Sequence, residues 1–467
     1  MMSAEVPGSG SPSSARVRAM PVTDHDAAAG RAARTRAPRR ATGQWDPSTR
    51  TMSALDRLRA QESVRDRELL PLRYARMASS PWAYLRGAAA VMAADLGVRK
   101  HSGLTAQMCG DAHILNFGLW ASPERQLLFD ARDFDETLPG PFEWDLKRLT
   151  TSIFVLAETE GIARSTAEDA AVAAVDGYRT AMRRYARSGE LEIWYDRFTA
   201  DMPLEHLTSA FAKEAKHTID KQAAKRSQEG TARQLITVVD GRRRISDDPL
   251  KRRHFQLSDE EEISVYEQIF DTYLASIPPH LARLVGRFTR IDTVQQVVGV
   301  GSVGMRVYLH LMEGDSRRQS VFFQVKQATS SVYEEFLGPS AYDNHGERVV
   351  VGQRLMQSAS DIFLGYVRVD ENDYYVRQFR DMKIIPSGRE IAGYLPQFAS
   401  ACGVALAKSH ARSGEPEAIA GYIGKGEAFA AGILDFARAY ADQTSTDHAD
   451  LVTAIAAGDV EAAERGW

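Results

Sequence analysis

The sequence has few of the features that mark secreted, membrane or nucleic-acid-binding proteins. Only two cysteines occur in 467 residues, Cys109 and Cys402, which excludes a disulfide framework and favours a reducing compartment. No apolar run approaches the length of a membrane span, and residues 1–50 lack the apolar core of a signal peptide. The net charge of -4 provides no field that would attract nucleic acid. We therefore expect a cytoplasmic protein with neither a membrane nor a nucleic acid as partner.

Residue patterns divide the chain into several segments. Residues 1–50 are rich in Ala, Arg, Ser and Pro without hydrophobic periodicity, which predicts a disordered tail. Short alternating runs over about 291–379 predict an antiparallel sheet. Asp240-Gly241 lies between β-branched runs and predicts a hairpin over 235–246. Apolar spacing of three and four residues predicts helices over 81–96, 144–186, about 204–225 and 259–286.

The most informative segment runs from Cys109 to Leu149. Asp111 stands five residues before Asn116, which is the offset between aspartate and asparagine in a kinase catalytic loop. In that pattern Asp111 would orient and deprotonate an acceptor hydroxyl, and Asn116 would hold magnesium. Acidic turns and Asx motifs are also common in ordinary loops, and DxD occurs in metal-dependent glycosyltransferases.

A cluster of carboxylates follows this loop. Asp133 is the expected principal metal ligand, and Asp130 and Asp135 are the other candidates. Magnesium takes hard oxygen ligands, typically one or two carboxylates completed by phosphates and water. The residue types therefore suit a magnesium–nucleotide site.

A second motif occurs almost two hundred residues later. Gly299, Gly301 and Gly304 form GxGxxG with Ser302 between them, a weak signal that dinucleotide-binding folds share. A dinucleotide-binding turn must open a helix, whereas these glycines lead into a predicted strand. Two strands on, Lys326 occupies the place of the lysine that binds the α- and β-phosphates in kinases. These residues are expected to bind ATP.

A kinase-like site also needs a glutamate paired with that lysine. Glu334, Glu335 and Glu347 are the candidates, and the sequence does not decide among them. Glu334 is included with the expected nucleotide-binding residues.

The order of residues around Asp111 resembles the aminoglycoside phosphotransferase and choline kinase branch of the kinase-like superfamily. The similarity lies in Gly110-Asp111-Ala112-His113 with Asn116, then Asp133-Phe134-Asp135, then Asp145-Leu146. It implies that Asp145, twelve residues after Asp133, belongs to the catalytic machinery and braces the loop. One departure is Cys109, which replaces the usual histidine before the glycine.

The nucleotide motif follows the catalytic motif, the reverse of the order in ordinary kinases. Either the glycine motif is coincidental, or the fold is α+β, kinase-like and circularly permuted, which exposed termini allow. The expected parts are a helical catalytic lobe over 51–285, a β-rich nucleotide lobe over 286–385, and helices over 386–467 that complete the first lobe. From about Thr51 the chain also resembles a bacterial family known only as domain of unknown function 2252, through blocks such as GDAHILNFG and LAKSHARSG.

These patterns together predict an ATP- and magnesium-dependent phosphotransferase that acts on a hydroxyl of a small molecule. An activation segment ending in A-P-E is absent, which separates the chain from protein kinases. The alternatives are a non-catalytic nucleotide-binding regulator and a metal-dependent nucleotidyl or glycosyl transferase. The sequence leaves the acceptor and the oligomeric state open.

Overall fold

The computed structural model describes residues 27–199, 219, 221–248, 251–254, 260–297, 299–314, 319–380 and 382–464. The α-helices of these residues are α1 (Ala27–Arg36), α2 (Ala54–Arg59), α3 (Leu70–Ala78), α4 (Pro81–Gly87), α5 (Ala89–Gly97), α6 (Phe142–Glu160), α7 (Arg164–Tyr185), α8 (Glu190–Tyr195), α9 (Gln228–Leu235), α10 (Glu260–Ser276), α11 (Pro279–Val285), α12 (Glu334–Leu337), α13 (His345–Met356), α14 (Gly388–Ile391), α15 (Leu395–Ala411), α16 (Pro416–Ile423) and α17 (Glu427–Ala457). The strands are β1 (Thr105–Met108), β2 (Phe117–Ala121), β3 (Leu127–Ala131), β4 (Leu138–Pro141), β5 (Ile236–Val239), β6 (Arg242–Ile245), β7 (Arg252–Arg253), β8 (Phe288–Gln296), β9 (Val307–Gly314), β10 (Ser320–Ala328), β11 (Gly365–Val369) and β12 (Asn372–Gln378).

A six-stranded sheet carries both the glycine-rich turn and Lys326. Its strand order is β11-β12-β10-β9-β8-β7, and each neighbouring pair is antiparallel. Tyr308 and Phe323 face α10 and α11, whereas Leu309 and Phe322 face α9 and β6. Successive side chains of a strand point to opposite faces, so β9 and β10 need apolar residues at consecutive positions. The antiparallel sheet predicted over 291–379 is thus confirmed.

Helices that precede the six-stranded sheet along the chain and helices that follow it share one hydrophobic core. Buried residues of α6, α7, α15, α16 and α17 belong to a single hydrophobic cluster. α7 and α15 approach closely at Gly403, where an added Cβ would lie 2.1 Å from the Ala174 carbonyl oxygen. Small residues permit such close helix packing. The last helices of the chain therefore pack on the helices that precede residue 200.

The prediction of a disordered tail over 1–50 is wrong for residues 27–50. α1 packs on α16, with Ala33 fully buried and the Arg34 Nε donating to the Tyr422 carbonyl at 3.1 Å. The contact face of α1 consists of Gly30 and Ala33, one turn apart, so the segment shows no large apolar periodicity. Residues 1–26 lie outside the described part of the chain.

Other expectations hold in part. The hairpin over 235–246 is confirmed as β5 and β6, with positive φ at Asp240 and Gly241 as a tight primed turn requires. The helix predicted over 81–96 divides at Ala88 into α4 and α5, and the one over 144–186 divides at Gly161, which is left-handed. Most of the helix predicted over 204–225 lies outside the described residues, and the described positions 219 and 221–225 are helical. The mixed α+β class with antiparallel sheets is confirmed, and the permuted kinase-like arrangement stays a prediction.

Candidate functional site

The loop that carries Asp111 is fixed by a carboxylate in the first turn of α6. Asp145 Oδ2 accepts the Cys109 N–H at 2.6 Å, and Oδ1 accepts the Gly110 N–H at 3.0 Å. His410 Nε2 lies 3.3 Å from Asp145 Oδ2. Gly110 has a φ of +84°, and a Cβ there would lie 2.3 Å from the Glu136 carbonyl oxygen, so the position requires glycine. Asp145 is fully engaged in positioning the loop.

Asn116 joins this loop to the segment that carries Asp133. Its Nδ2 donates to the carbonyl oxygens of Asp111 at 2.9 Å and Asp133 at 3.0 Å. Its Oδ1 accepts the Asp133 N–H at 3.0 Å. The amide therefore sets the spacing of the two aspartates, and its role as a metal ligand stays a prediction.

The carboxylate of Asp111 is held by a buried arginine. Arg148 Nε donates to Asp111 Oδ1 at 2.9 Å, while Arg148 Nη2 donates to the Leu85 carbonyl at 2.6 Å. Burial raises the pKa of Asp111, and the charges of Arg148 and Arg86 oppose that shift. The side chain keeps 23% of its surface exposed, so a second molecule can reach it.

Lys326 meets the carboxylate cluster from the sheet. Its Nζ contacts the Asp135 carboxylate and lies 3.8 Å from Asp133 Oδ1. Tyr375 Oη donates to the other Asp135 oxygen at 2.8 Å. Burial lowers the pKa of Lys326, but Asp133 and Asp135 outweigh it and raise the pKa, so the buried ammonium is charged.

Asp133 differs from its neighbour Asp135, both of whose oxygens are contacted by other side chains at hydrogen-bond distance. Its Oδ1 has no hydrogen-bond partner among the described residues, although 48% of the side chain is exposed. Burial alone would raise the pKa of Asp133, but the charges of Lys326, Arg377 and Arg132 lower it to about 2. Asp133 is therefore an anion with an unused oxygen beside the lysine.

The glycine-rich turn joins β8 to β9 and faces the same space. Arg76 Nη1 donates to the Gly299 carbonyl at 3.0 Å, and Arg65 Nη1 donates to the Gly301 carbonyl at 2.8 Å. Gly299 and Gly304 have φ of +72° and +87°, which favours glycine at both positions. Within the described ranges, the N–H groups of Gly301 and Ser302 have no acceptor. Two arginines thus bind carbonyls of the turn, and two of its N–H groups have no acceptor among the described residues.

Two motifs that are far apart in the chain line one cavity of about 90 Å³. The glycine-rich turn forms one wall and the acidic loop forms another. The lining residues are Gln61, Arg65, Arg86, Gly87, Ala89, Asp111, His113, Asp133, Asp135, Glu136, Gly299, Val300, Gly301 and Ser302. The sequence-predicted residues Asp111, Asp133, Asp135, Gly299, Gly301 and Ser302 are therefore brought together, with Lys326 bonded to Asp135 at the edge.

Gly304 is not among the residues that line this cavity, and two of the expected carboxylates are paired with basic residues elsewhere. Asp130 is fully buried in an ion pair with Lys408 of α15, so the expectation that it binds metal in this cavity is wrong. Glu334 accepts the Ser331 N–H at 2.9 Å and lies 3.7 Å from Arg348 Nε instead of pairing with Lys326. The other two candidates are also engaged elsewhere, Glu335 with Arg57 and Glu347 with Tyr366.

The site also contains residues that sequence reasoning missed. Arg148 stands three positions after Asp145 on α6, so helical spacing was an available signal for a second side chain facing the loop. Tyr375 is the cross-strand neighbour of Lys326, a relation that only the register of β10 and β12 reveals.

Comparison with known proteins identifies the family. A family model described as "Uncharacterized protein conserved in bacteria (DUF2252)" matches residues 65–454, and the chain belongs to that family. No curated protein and no solved structure matches the chain. The comparisons therefore support the resemblance to the bacterial family and are silent on the kinase-like one.

Two further findings concern the described part of the chain. None of its helices combines the length and the apolar character that crossing a bilayer demands. It also contains no group of three or more His, Cys, Asp or Glu side chains placed to hold a metal ion.

Proposed function

We propose that this protein is a phosphotransferase that moves the γ-phosphoryl group of ATP to a hydroxyl of a small molecule. One observation carries the proposal: Asp111, Asp133 and the glycine-rich turn line a single cavity, and Lys326 contacts its acidic wall. Phosphate-binding donors and metal-binding carboxylates can serve one triphosphate only when they converge on it. The convergence is notable because about 190 residues separate the two motifs.

Asp111 would act on the acceptor. Its carboxylate is partly exposed, is held by Arg148, and has a pKa raised by burial, which suits a proton acceptor. As the acceptor oxygen bonds to the γ-phosphorus, the bond to the β–γ bridging oxygen breaks and ADP leaves. The hydroxyl proton passes to Asp111 Oδ2, the oxygen that Arg148 leaves free.

The turn and Lys326 would bind the nucleotide phosphates. The N–H groups of Gly301 and Ser302, which have no acceptor among the described residues, are suitable donors to phosphate oxygens. Lys326 is positively charged and contacts Asp135, and it would exchange that contact for a β-phosphate oxygen when the nucleotide binds. Positioning and charge neutralisation supply most of the catalysis in reactions of this class.

The residues also fit magnesium. Asp133 is the matching ligand, since its Oδ1 lacks a hydrogen-bond partner among the described residues and its pKa is low. Magnesium usually takes only one or two protein carboxylates, so a larger acidic cluster is not required. When bound, the ion would neutralise charge on the phosphate oxygens. Asn116 would hold Asp133 in place through the Asp133 N–H.

One observation favours the non-catalytic alternative. Lys326 pairs with Asp135, whereas an active kinase pairs this lysine with a glutamate from a helix. In a nucleotide-binding regulator this pair would tie the sheet to the acidic loop, and nucleotide would bind without turnover.

The test uses ATP labelled at either the γ- or the α-phosphate, incubated with the purified protein, magnesium and a pool of small metabolites. We expect the γ-label to appear in a new product and the α-label to stay in ADP. Transfer of the α-label would indicate a nucleotidyl transferase instead. Binding of ATP without transfer of either label from any pool would support the regulator, and D111N serves as the catalytically dead control.

A further inference from the structure

Arg65 and Arg86 line the cavity, and Arg148 and Lys326 hold two carboxylates of its acidic wall. Three of these four basic side chains are bonded within the protein. Arg65 donates to the carbonyls of the glycine-rich turn, Arg148 to Asp111, and Lys326 contacts Asp135. Arg86 is different. Its Nε is buried without a partner, and in the described part of the chain no hydrogen bond or ion pair joins its guanidinium to another group. Arg86 is half-buried, and a polar atom such as its Nε is costly to bury without a partner unless a ligand uses the group.

The position of Arg86 is fixed between the two walls of the cavity. It lies in the last turn of α4, directly before the break at Ala88. Its backbone touches the glycine-rich turn, because a Cβ on Gly301 would lie 3.1 Å from the Arg86 carbonyl oxygen. Its side chain lines the cavity together with Asp111 and Asp133, which are the carboxylates whose charges act on it most strongly.

We propose that Arg86 binds the phosphoryl group that is transferred, the terminal phosphate of ATP. This inference rests on the proposed function. The transferred group must lie between the acceptor held at Asp111 and the metal-binding Asp133, and Arg86 faces both. A guanidinium can bond two oxygens of one phosphate, which suits a group whose charge grows during transfer. Lys326 and the turn would then bind the phosphates that remain in ADP.

The distinguishing measurement is the affinity for a non-hydrolysable ATP analogue compared with that for ADP, both with magnesium, by titration calorimetry. In R86M we expect the analogue to bind about 10- to 100-fold more weakly, as for a lost hydrogen bond to a charged group. Affinity for ADP should stay close to that of the native protein. R86K keeps the charge but not the paired donors, so its affinity for the analogue should lie between those of the native protein and R86M. R67M is the matched control, because Arg67 is exposed in the same N-terminal segment.

Urea unfolding shows whether R86M damages the structure. R86M removes a half-buried arginine whose Nε has no partner among the described residues, so the unliganded protein should unfold at an unchanged or higher urea concentration. Equal weakening of both nucleotides would overturn the assignment to the terminal phosphate, and so would unchanged binding of the analogue. If the native protein binds neither nucleotide, the proposed function fails. Titration with inorganic tripolyphosphate would then test Arg86 as a phosphate-binding residue independently of ATP. Weaker tripolyphosphate binding by R86M than by the native protein would uphold that assignment, and any other result would overturn it.

Discussion

Lys326 and Asp135 are 191 positions apart in the chain, yet the ammonium of one contacts the carboxylate of the other. This contact joins the sheet to the acidic loop, and Tyr375 supports it through the second Asp135 oxygen. It also places a cation beside Asp133, the carboxylate that we propose as the magnesium ligand. The ion pair of Lys326 and Asp135 therefore links the sheet to the acidic loop at the edge of the cavity where a nucleotide would bind.

The first prediction concerns the energy of that pair. K326M should destabilise the protein by about 1–3 kcal/mol, because it leaves a partly buried Asp135 without its cation. Adding D135N should restore part of the loss, giving a coupling energy of about 0.5–3 kcal/mol in urea unfolding. The exposed pair of Arg233 and Glu229 is the control, with coupling of at most a few tenths of a kcal/mol. Additive effects of K326M and D135N would show that the contact contributes nothing to stability.

Magnesium and ATP together should raise the thermal unfolding temperature. A ligand that binds only the folded state adds RT ln(1 + [L]/Kd), or about 2.7 kcal/mol at a hundredfold excess over Kd. The shift should shrink when magnesium is omitted and when K326M replaces the native protein. Absence of any shift at millimolar ATP with magnesium would count decisively against a nucleotide site.

D111N should abolish transfer and leave nucleotide affinity close to native. The asparagine can still accept a hydrogen bond from Arg148, so the loop should keep its geometry, but it cannot take the acceptor proton. Transfer rates with any acceptor found by the labelling screen test the loss of activity, and calorimetric affinities for ADP test the retained nucleotide binding. Full activity of D111N would remove Asp111 from the role of base.

D133N should affect magnesium binding and D130N should affect stability. D133N should abolish the magnesium dependence of ATP binding and change stability little, because its side chain is half exposed. D130N breaks a fully buried pair with Lys408 and should cost about 3–5 kcal/mol in urea unfolding. It should leave magnesium-dependent binding intact in the folded fraction. If D130N rather than D133N removed the magnesium effect, the metal ligand would be misassigned.

The stability of the protein should depend on Glu136 between pH 4.5 and 7. Burial raises the pKa of Glu136 from 4.5 to about 7, so in this window the folded state binds a proton that the unfolded state has lost. This contribution is fully present below pH 4.5 and is lost as pH rises through 7. E136Q stays neutral, and its stability relative to native should rise by on the order of 3 kcal/mol across the window.

The Val332 N–H that bonds Glu136 can bond the glutamine oxygen equally well, so E136Q should fold normally. Urea unfolding at several pH values provides the comparison. The exposed substitution E229Q controls for a general loss of charge. A constant difference between E136Q and native from pH 4.5 to 7.5 would mean that Glu136 titrates normally.

Much of the acidic loop could be predicted because its residues are close in sequence. Asp111, Asn116, Asp133 and Asp145 span thirty-five positions, and one loop, one hairpin and the first turn of α6 bring them together. The strands and the glycine-rich turn were also predictable, since alternation and glycine act within a few residues. α1 was missed because its close packing depends on small residues, which carry no hydrophobic pattern.

The sequence by itself determined which residue types could do chemistry here, and which short segments would be loops, strands and helices. Only the tertiary structure decided their partners. Lys326 pairs with Asp135 and not with Glu334, because the packing of the sheet on the helices brings one carboxylate within reach and leaves the other with Arg348. Asp130 faces Lys408 inside the core, while Asp133, three residues on, faces the cavity. Charge–charge interactions depend on distance and burial, and neither quantity is a function of separation along the chain.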